Sequence, residues 1–151
     1  MPLCRVLRTR RGVSKLPSDS SGAAAIEMAI VLPLFLTVVF GILAYGIYLG
    51  AAHSTQQLAA DAARVSIAGL TPEERTSLAS SFVRDHAGDY PLLWPEHVAI
   101  KAGPSAGRAD DFLVVVTYDA RVLPIWNLAP FLPLPAEQIE RVAVVRRGGT
   151  Q

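Results

Sequence analysis

The stretch Gly22–Ala52, GAAAIEMAIVLPLFLTVVFGILAYGIYLGAA, decides how the rest of this 151-residue chain is read. From Met28 to Ala52 there is no charged side chain, and apart from Tyr45 and Tyr48 the one clearly polar residue is Thr37. Twenty-five residues of α-helix rise about 38 Å, enough to cross a hydrocarbon core of roughly 30 Å with some tilt. The high hydrophobic fraction of 51% and the mean hydropathy of +0.34 come largely from this run. Glu27 stands at its mouth. A carboxylate entering a bilayer is costly, so its placement asks for a reason.

The residues on either side set a direction. Residues 1–22 carry Arg5, Arg8, Arg10, Arg11 and Lys15 against Asp19, a net +4, which leaves −3 for the rest of a chain whose total is +1. A basic segment ahead of one span predicts a cytoplasmic N-terminus and an exported C-terminal part in the cytoplasmic membrane. That topology accounts for the basic run without nucleic acid, for which the chain offers no aromatic platform or binding fold. Cys4 is the only cysteine, so the exported part has no intramolecular disulfide, and Cys4 reads as a free thiol in a cytoplasmic tail.

Four regions follow from composition: a basic cytoplasmic leader at 1–22, a transmembrane helix at 23–52, a helical stalk at 53–70 and a small extracytoplasmic head at 71–151. Within the span, Pro33 removes one backbone donor and predicts a kink. Gly41, Gly46 and Gly50, with Ala44, Ala51 and Ala52, offer a small-residue surface for close helix packing. Tyr45 and Tyr48 suit the outer interface. In the stalk, Leu58, Ala62 and Val65 recur at helical spacing, and Gly69 is a natural stop.

The head begins with "TPEER". Thr71 reads as an N-cap, Pro72 as the first helical position and Glu74 as the closing residue of a capping box. Leu78 and Phe82, flanked by Ala79 and Val83, give this helix an apolar stripe that ends near Gly88. Three strands are then expected in "HVAIKAG", "DFLVVVTYDA" and "EQIERVAVVRR". The faces of the third are ambiguous, because valines fall on both. A short helix packed on a small, about three-stranded antiparallel sheet, behind a long membrane helix, is an α+β arrangement.

Between the last two strands runs "RVLPIWNLAPFLPLPAE". Pro124, Pro130, Pro133 and Pro135 forbid a regular helix or strand, yet the segment is apolar. It either folds over the sheet to complete a small core or exposes Ile125, Trp126 and Phe131 as a partner surface.

No catalytic constellation emerges. His53, His86 and His97 lack the spacing of a helical metal pair, Cys4 lies on the opposite side of the predicted membrane, and Asp110-Asp111 reads as turn chemistry at a strand start. There is no nucleophile elbow, phosphate-binding glycine loop or dinucleotide fingerprint. Nothing points to an enzyme, a metal, a cofactor or a small-molecule substrate.

What remains is Gly22 followed by Ala23, Ala24, Ala25 and Ile26, with Glu27 fifth after the glycine. A glycine, small residues and a glutamate opening a long apolar helix resemble a type IV prepilin cleavage site. The run GAAAIEMAIVLPLFLTVVFGILAYG resembles the N-terminus of the TadE-like family, minor pilins (pseudopilins) of the tight-adherence, Flp-type pilus system. "STQQLAADAARVSIAG" is similar to that family's stalk, and the proline-interrupted C-terminal segment to its terminal hairpin, so the resemblance covers about residues 20–147. It implies that a prepilin peptidase cuts after Gly22, that Ala23 becomes the new N-terminus, and that Glu27 sets register in assembly. The implied partners are that peptidase, other pilins and pseudopilins, the pilus secretion apparatus and the lipid bilayer. After such a cut the Ala23 ammonium would sit at i, i+4 from Glu27, which would reduce the cost of the carboxylate. Two other readings stay open: an uncleaved signal-anchored protein with a tolerated interfacial glutamate, and an extracytoplasmic binding domain secreted by a cut after Ala52.

Overall fold

The protein is represented by a computed structural model that describes residues 20–105, 107 and 111–146. The basic run, Cys4 and Asp110 lie outside the described residues. The order of elements is α1 (Ser20–Ser66), α2 (Pro72–His86), β1 (Val98–Pro104), β2 (Asp111–Asp119) and β3 (Gln138–Arg146), with short 3-10 turns between them. This is the expected α+β architecture.

The chain divides into two units at residue 35. The described part of the first is the opening of α1. Every residue from Gly22 to Phe35 is exposed, and apart from Glu27 these side chains are apolar or small. Pro33 lies inside a helix that continues through it.

The second unit, Leu36–Gln151, holds the core. Its part of α1 changes character along its length. Ile42, Leu43 and Leu49 are exposed, Ala44 is buried, and from Ala51 onward most residues pack inward. Leu58, Ala59, Ala62 and Ala63 join Ala79 and Val83 of α2 and Val114, Val116 and Tyr118 of β2 in one apolar cluster. The segment expected to be a stalk thus supplies one wall of the head's core. Small side chains suit this wall, because alanines let a helix backbone lie close to its neighbours. Thr55 and Ser66 are buried in the same wall and satisfy their hydroxyls within the helix, donating to the carbonyls of Ala51 (2.8 Å) and Ala63 (2.6 Å).

The start of α2 follows its sequence signals closely. Thr71 is extended (φ −110°, ψ 157°), and its Oγ1 accepts from the Glu74 amide at 3.2 Å. Glu74 returns the bond one residue further out than a standard capping box, accepting from the Leu70 amide at 2.8 Å. The buried stripe of α2 is Ala79 and Val83, with Leu78 and Phe82 half-buried. The helix ends at His86, and Gly88 falls within the following 3-10 turn, Ala87–Asp89.

The sheet has the order β1-β2-β3, antiparallel throughout. Pairing resolves the ambiguous third strand. Ile139 stands opposite Tyr118, Ala143 opposite Val114 and Val145 opposite Phe112, all core-facing residues of β2. Val142 and Val144 therefore face outward and are 44% and 56% exposed. Arg146 Nε meets Asp111 Oδ1 at 3.2 Å, tying the end of the β2–β3 ladder.

The proline-rich connection folds back onto the core. Leu123 and Ile125 are buried. Trp126 is half-buried, and its Nε1 donates to the Ala120 carbonyl at 2.6 Å. Of the three residues considered as a partner surface, Ile125 is core, Trp126 is partly covered, and Phe131 alone stands clear at 76% exposure.

Candidate functional site

Gly22 and Ala23 lie within α1, two and three residues after its first residue. A Cβ built on Gly22 would meet nothing within 4 Å. Among the described residues no packing contact calls for glycine there, and glycine weakens a helix by about 1 kcal/mol relative to alanine.

Glu27 is exposed. On the helix it shares one face with Ala24, Met28 and Val31, at i−3, i+1 and i+4. In the intact chain α1 begins at Ser20, and its first turn holds no acidic residue. A helix beginning at Ala23 would bring Glu27 within about one turn of its positive end, where a carboxylate is favoured.

The three glycines of the span have different surroundings. At Gly41, a Cβ would lie 3.6 Å from Leu132 Cδ2; at Gly50 it would lie 2.8 Å from Leu92 Cδ1; at Gly46 it would meet nothing. Leu132 and Leu92 belong to the head. The close approach permitted at Gly41 and Gly50 is thus taken up by the chain's own loops, and Gly46 is the one of the three with open space beside it. Tyr45 adds to the same contact, its hydroxyl donating to the Pro133 carbonyl at 2.8 Å. Leu92 reaches Gly50 from a turn closed by the Leu93 amide on the Tyr90 carbonyl at 3.3 Å. It adopts φ 64°, a left-handed conformation unusual for leucine. Sequence reasoning placed Leu132 and Pro133 in the apolar connection without pairing them with the helix, and it did not single out Leu92. The available signal was the pairing of small helix residues with an apolar, proline-bound loop, which shows that something approaches but not what.

Several polar side chains of the head make structural contacts. Tyr90 donates to Asp61 Oδ2 at 2.9 Å, linking the segment after α2 to α1. Burial, with that hydrogen bond and the neighbouring carboxylates, pushes the Tyr90 phenol up to about 12. Asp119 accepts from Arg121 Nε and Nη2 at 2.9 and 2.6 Å. That guanidinium, with the Arg121 amide, lowers the carboxyl to about 2. Arg75 reaches back to the Gly69 carbonyl at 3.0 Å, with its guanidinium 6.0 Å from the Phe112 ring centre. His86 stacks on Phe82 at 4.5 Å. Among the described residues no three His, Cys, Asp or Glu side chains gather as a metal site would require.

The described features that stand out are therefore an apolar helix, long enough to cross a membrane, with an exposed glycine and glutamate near its start. Residues 22–64 match the family model described as TadE-like protein. The match bears out the resemblance to the TadE-like family over that segment, beginning at Gly22 and ending two residues before the end of α1. It points to a membrane-anchored protein associated with the tight-adherence pilus and its machinery; the TadE-like family is not known for catalysis. The head from Thr71 onward lies beyond the TadE-like match. No curated protein and no solved structure matches the chain.

Proposed function

We propose that this chain is a membrane-anchored minor pilin, or pseudopilin, acting in the assembly of a tight-adherence pilus. In this reading a prepilin peptidase cuts between Gly22 and Ala23, and the Ala23 ammonium and the Glu27 carboxylate then meet across one helical turn or between neighbouring subunits. The head remains extracytoplasmic while α1 sits in the membrane or in the fibre. The observation that carries the proposal is the TadE-like match over 22–64, which starts at the glycine of the proposed cut and includes Glu27. Two structural facts support it. Among the described residues nothing packs against Gly22, and Glu27 is exposed on an otherwise apolar helix surface, open to another subunit.

Two substitutions test the two halves of this reading. Gly22→Leu places a bulky side chain where space is free within the chain, so the head folds as before while the cut is lost. Glu27→Ala leaves processing and membrane insertion intact but abolishes piliation, read by electron microscopy and by recovery of sheared pili. Normal piliation with Glu27→Ala would remove the register role, and unaltered processing with Gly22→Leu would remove the peptidase site.

A further inference from the structure

We propose that the apex of the β2–β3 connection, Pro130–Pro133 with Phe131 at its tip, is a second membrane contact beside residues 41–45 of α1, with the outer lipid interface at the level of Tyr45 and not at Ala52, which is buried in the head's core. The inference rests on α1 being a membrane anchor and adds a site to it.

The first observation is composition. No charged residue occurs from Val122 to Ala136, and within that run Phe131 is 76% exposed although the head has a core in which to bury it. The second is position. Leu132 lies against Gly41, and the Tyr45 hydroxyl holds the Pro133 carbonyl at 2.8 Å. The apex is therefore pinned to the uncharged part of α1, where Phe40, Ile42, Leu43 and Leu49 are themselves 45% to 68% exposed. Loop and helix thus meet at Gly41 and Tyr45 with exposed apolar side chains on each, and the helix belongs to the segment long and apolar enough to span a bilayer.

The third observation concerns the backbone. An irregular segment at the edge of the hydrocarbon is costly where its amide hydrogens lack acceptors, since hydrocarbon supplies none, whereas its carbonyls can still be served by interfacial water. The Phe131 and Leu132 amides both donate to the Leu128 carbonyl, at 2.9 and 3.0 Å, and the Ala129 amide donates to Trp126. Pro130 and Pro133 have no amide hydrogen. The apex thus offers no free backbone donor from Ala129 to Pro133, and the Pro133 carbonyl accepts from Tyr45. Four prolines in an apolar loop, puzzling as a secondary-structure signal, are well suited to a segment that leaves water.

The test uses the full chain in vesicles of phosphatidylethanolamine and phosphatidylglycerol, with Cys4→Ser removing the native thiol. Single spin labels are placed through Phe131→Cys, Ile42→Cys as the lipid reference and Lys101→Cys as the aqueous reference. Relaxation by oxygen is compared with relaxation by a water-soluble nickel chelate. The expected result is an oxygen-to-nickel ratio at 131 several-fold above that at 101 and close to that at 42. A ratio at 131 equal to that at 101, with 42 still lipid-exposed, would overturn the second contact and leave the anchor standing. Shielding of 131 from both reagents would overturn it in favour of a protein neighbour. An aqueous ratio at 42 would overturn the anchor and the loop contact together.

Discussion

Two glycines on α1 and its exit show how the cost of one methyl group depends on what it meets. At Gly69 a Cβ would fall 2.7 Å from the Arg75 backbone nitrogen and 3.0 Å from its Cα, in the first turn of α2. That backbone is held by the Thr71 cap and cannot withdraw. At Gly50 the equally short contact is with Leu92 Cδ1, the end of a side chain that can rotate away. Gly69→Ala should therefore cost about 1–3 kcal/mol of head stability, whereas Gly50→Ala costs less, as read by thermal unfolding in detergent. Gly69 was expected as the helix stop, but α1 ends at Ser66 and Gly69 has no positive φ; its crowding against α2 was not legible, because the partner becomes a neighbour only once the turn has closed. Tyr90 supplies a pH signature. Burial and the Asp61 bond push its phenol from the ordinary tyrosine value of about 10 up to about 12, so its contribution is fully present below about pH 10 and is lost as pH rises through about 12. Tyr90→Phe should flatten the alkaline arm of the stability–pH curve, measured between those limits, and leave the neutral region with the smaller effect of a lost hydrogen bond.

At the scale of elements, the chain announces its strands and the start of α2 through local chemistry, and these stand where the residues put them. The β-branched run of β2 and the Thr71-Pro72-Glu74 sequence each depend on near neighbours only. Thr71→Ala should lower head stability by about 1 kcal/mol, which chemical denaturation of the wild-type and variant chains would measure. The two faces of β3 could not be separated from sequence, since valines occupy both; the choice is made by cross-strand partners, with Ile139 set against Tyr118. Helix α1 illustrates a different limit. Its apolar length was evident, but whether its surface meets lipid, another helix or the head is a tertiary matter. The small residues that suggested a partner helix receive Leu132 and Leu92 at Gly41 and Gly50, and the alanines of 51–63 line the head's own core.

For the molecule as a whole, the division at residue 35 separates two kinds of surface. Gly22–Phe35 is helix without a core, exposed throughout, and stable in water only at the cost of its apolar side chains; a bilayer or a fibre removes that cost. Leu36–Gln151 has its own core, and among its described residues no three His, Cys, Asp or Glu side chains gather as a metal site would require. An anchor that ends in a folded head suits an assembly component. The proposed processing site comes from a resemblance carried by local sequence, Gly22 to Glu27, whereas the head's partners depend on surfaces that pairing and packing create. The proposal turns on one bond, between Gly22 and Ala23. Intact-mass measurement of the chain extracted from membranes of cells that carry the pilus system decides it. The account predicts a protein beginning at Ala23, and a protein beginning at Met1 would contradict it.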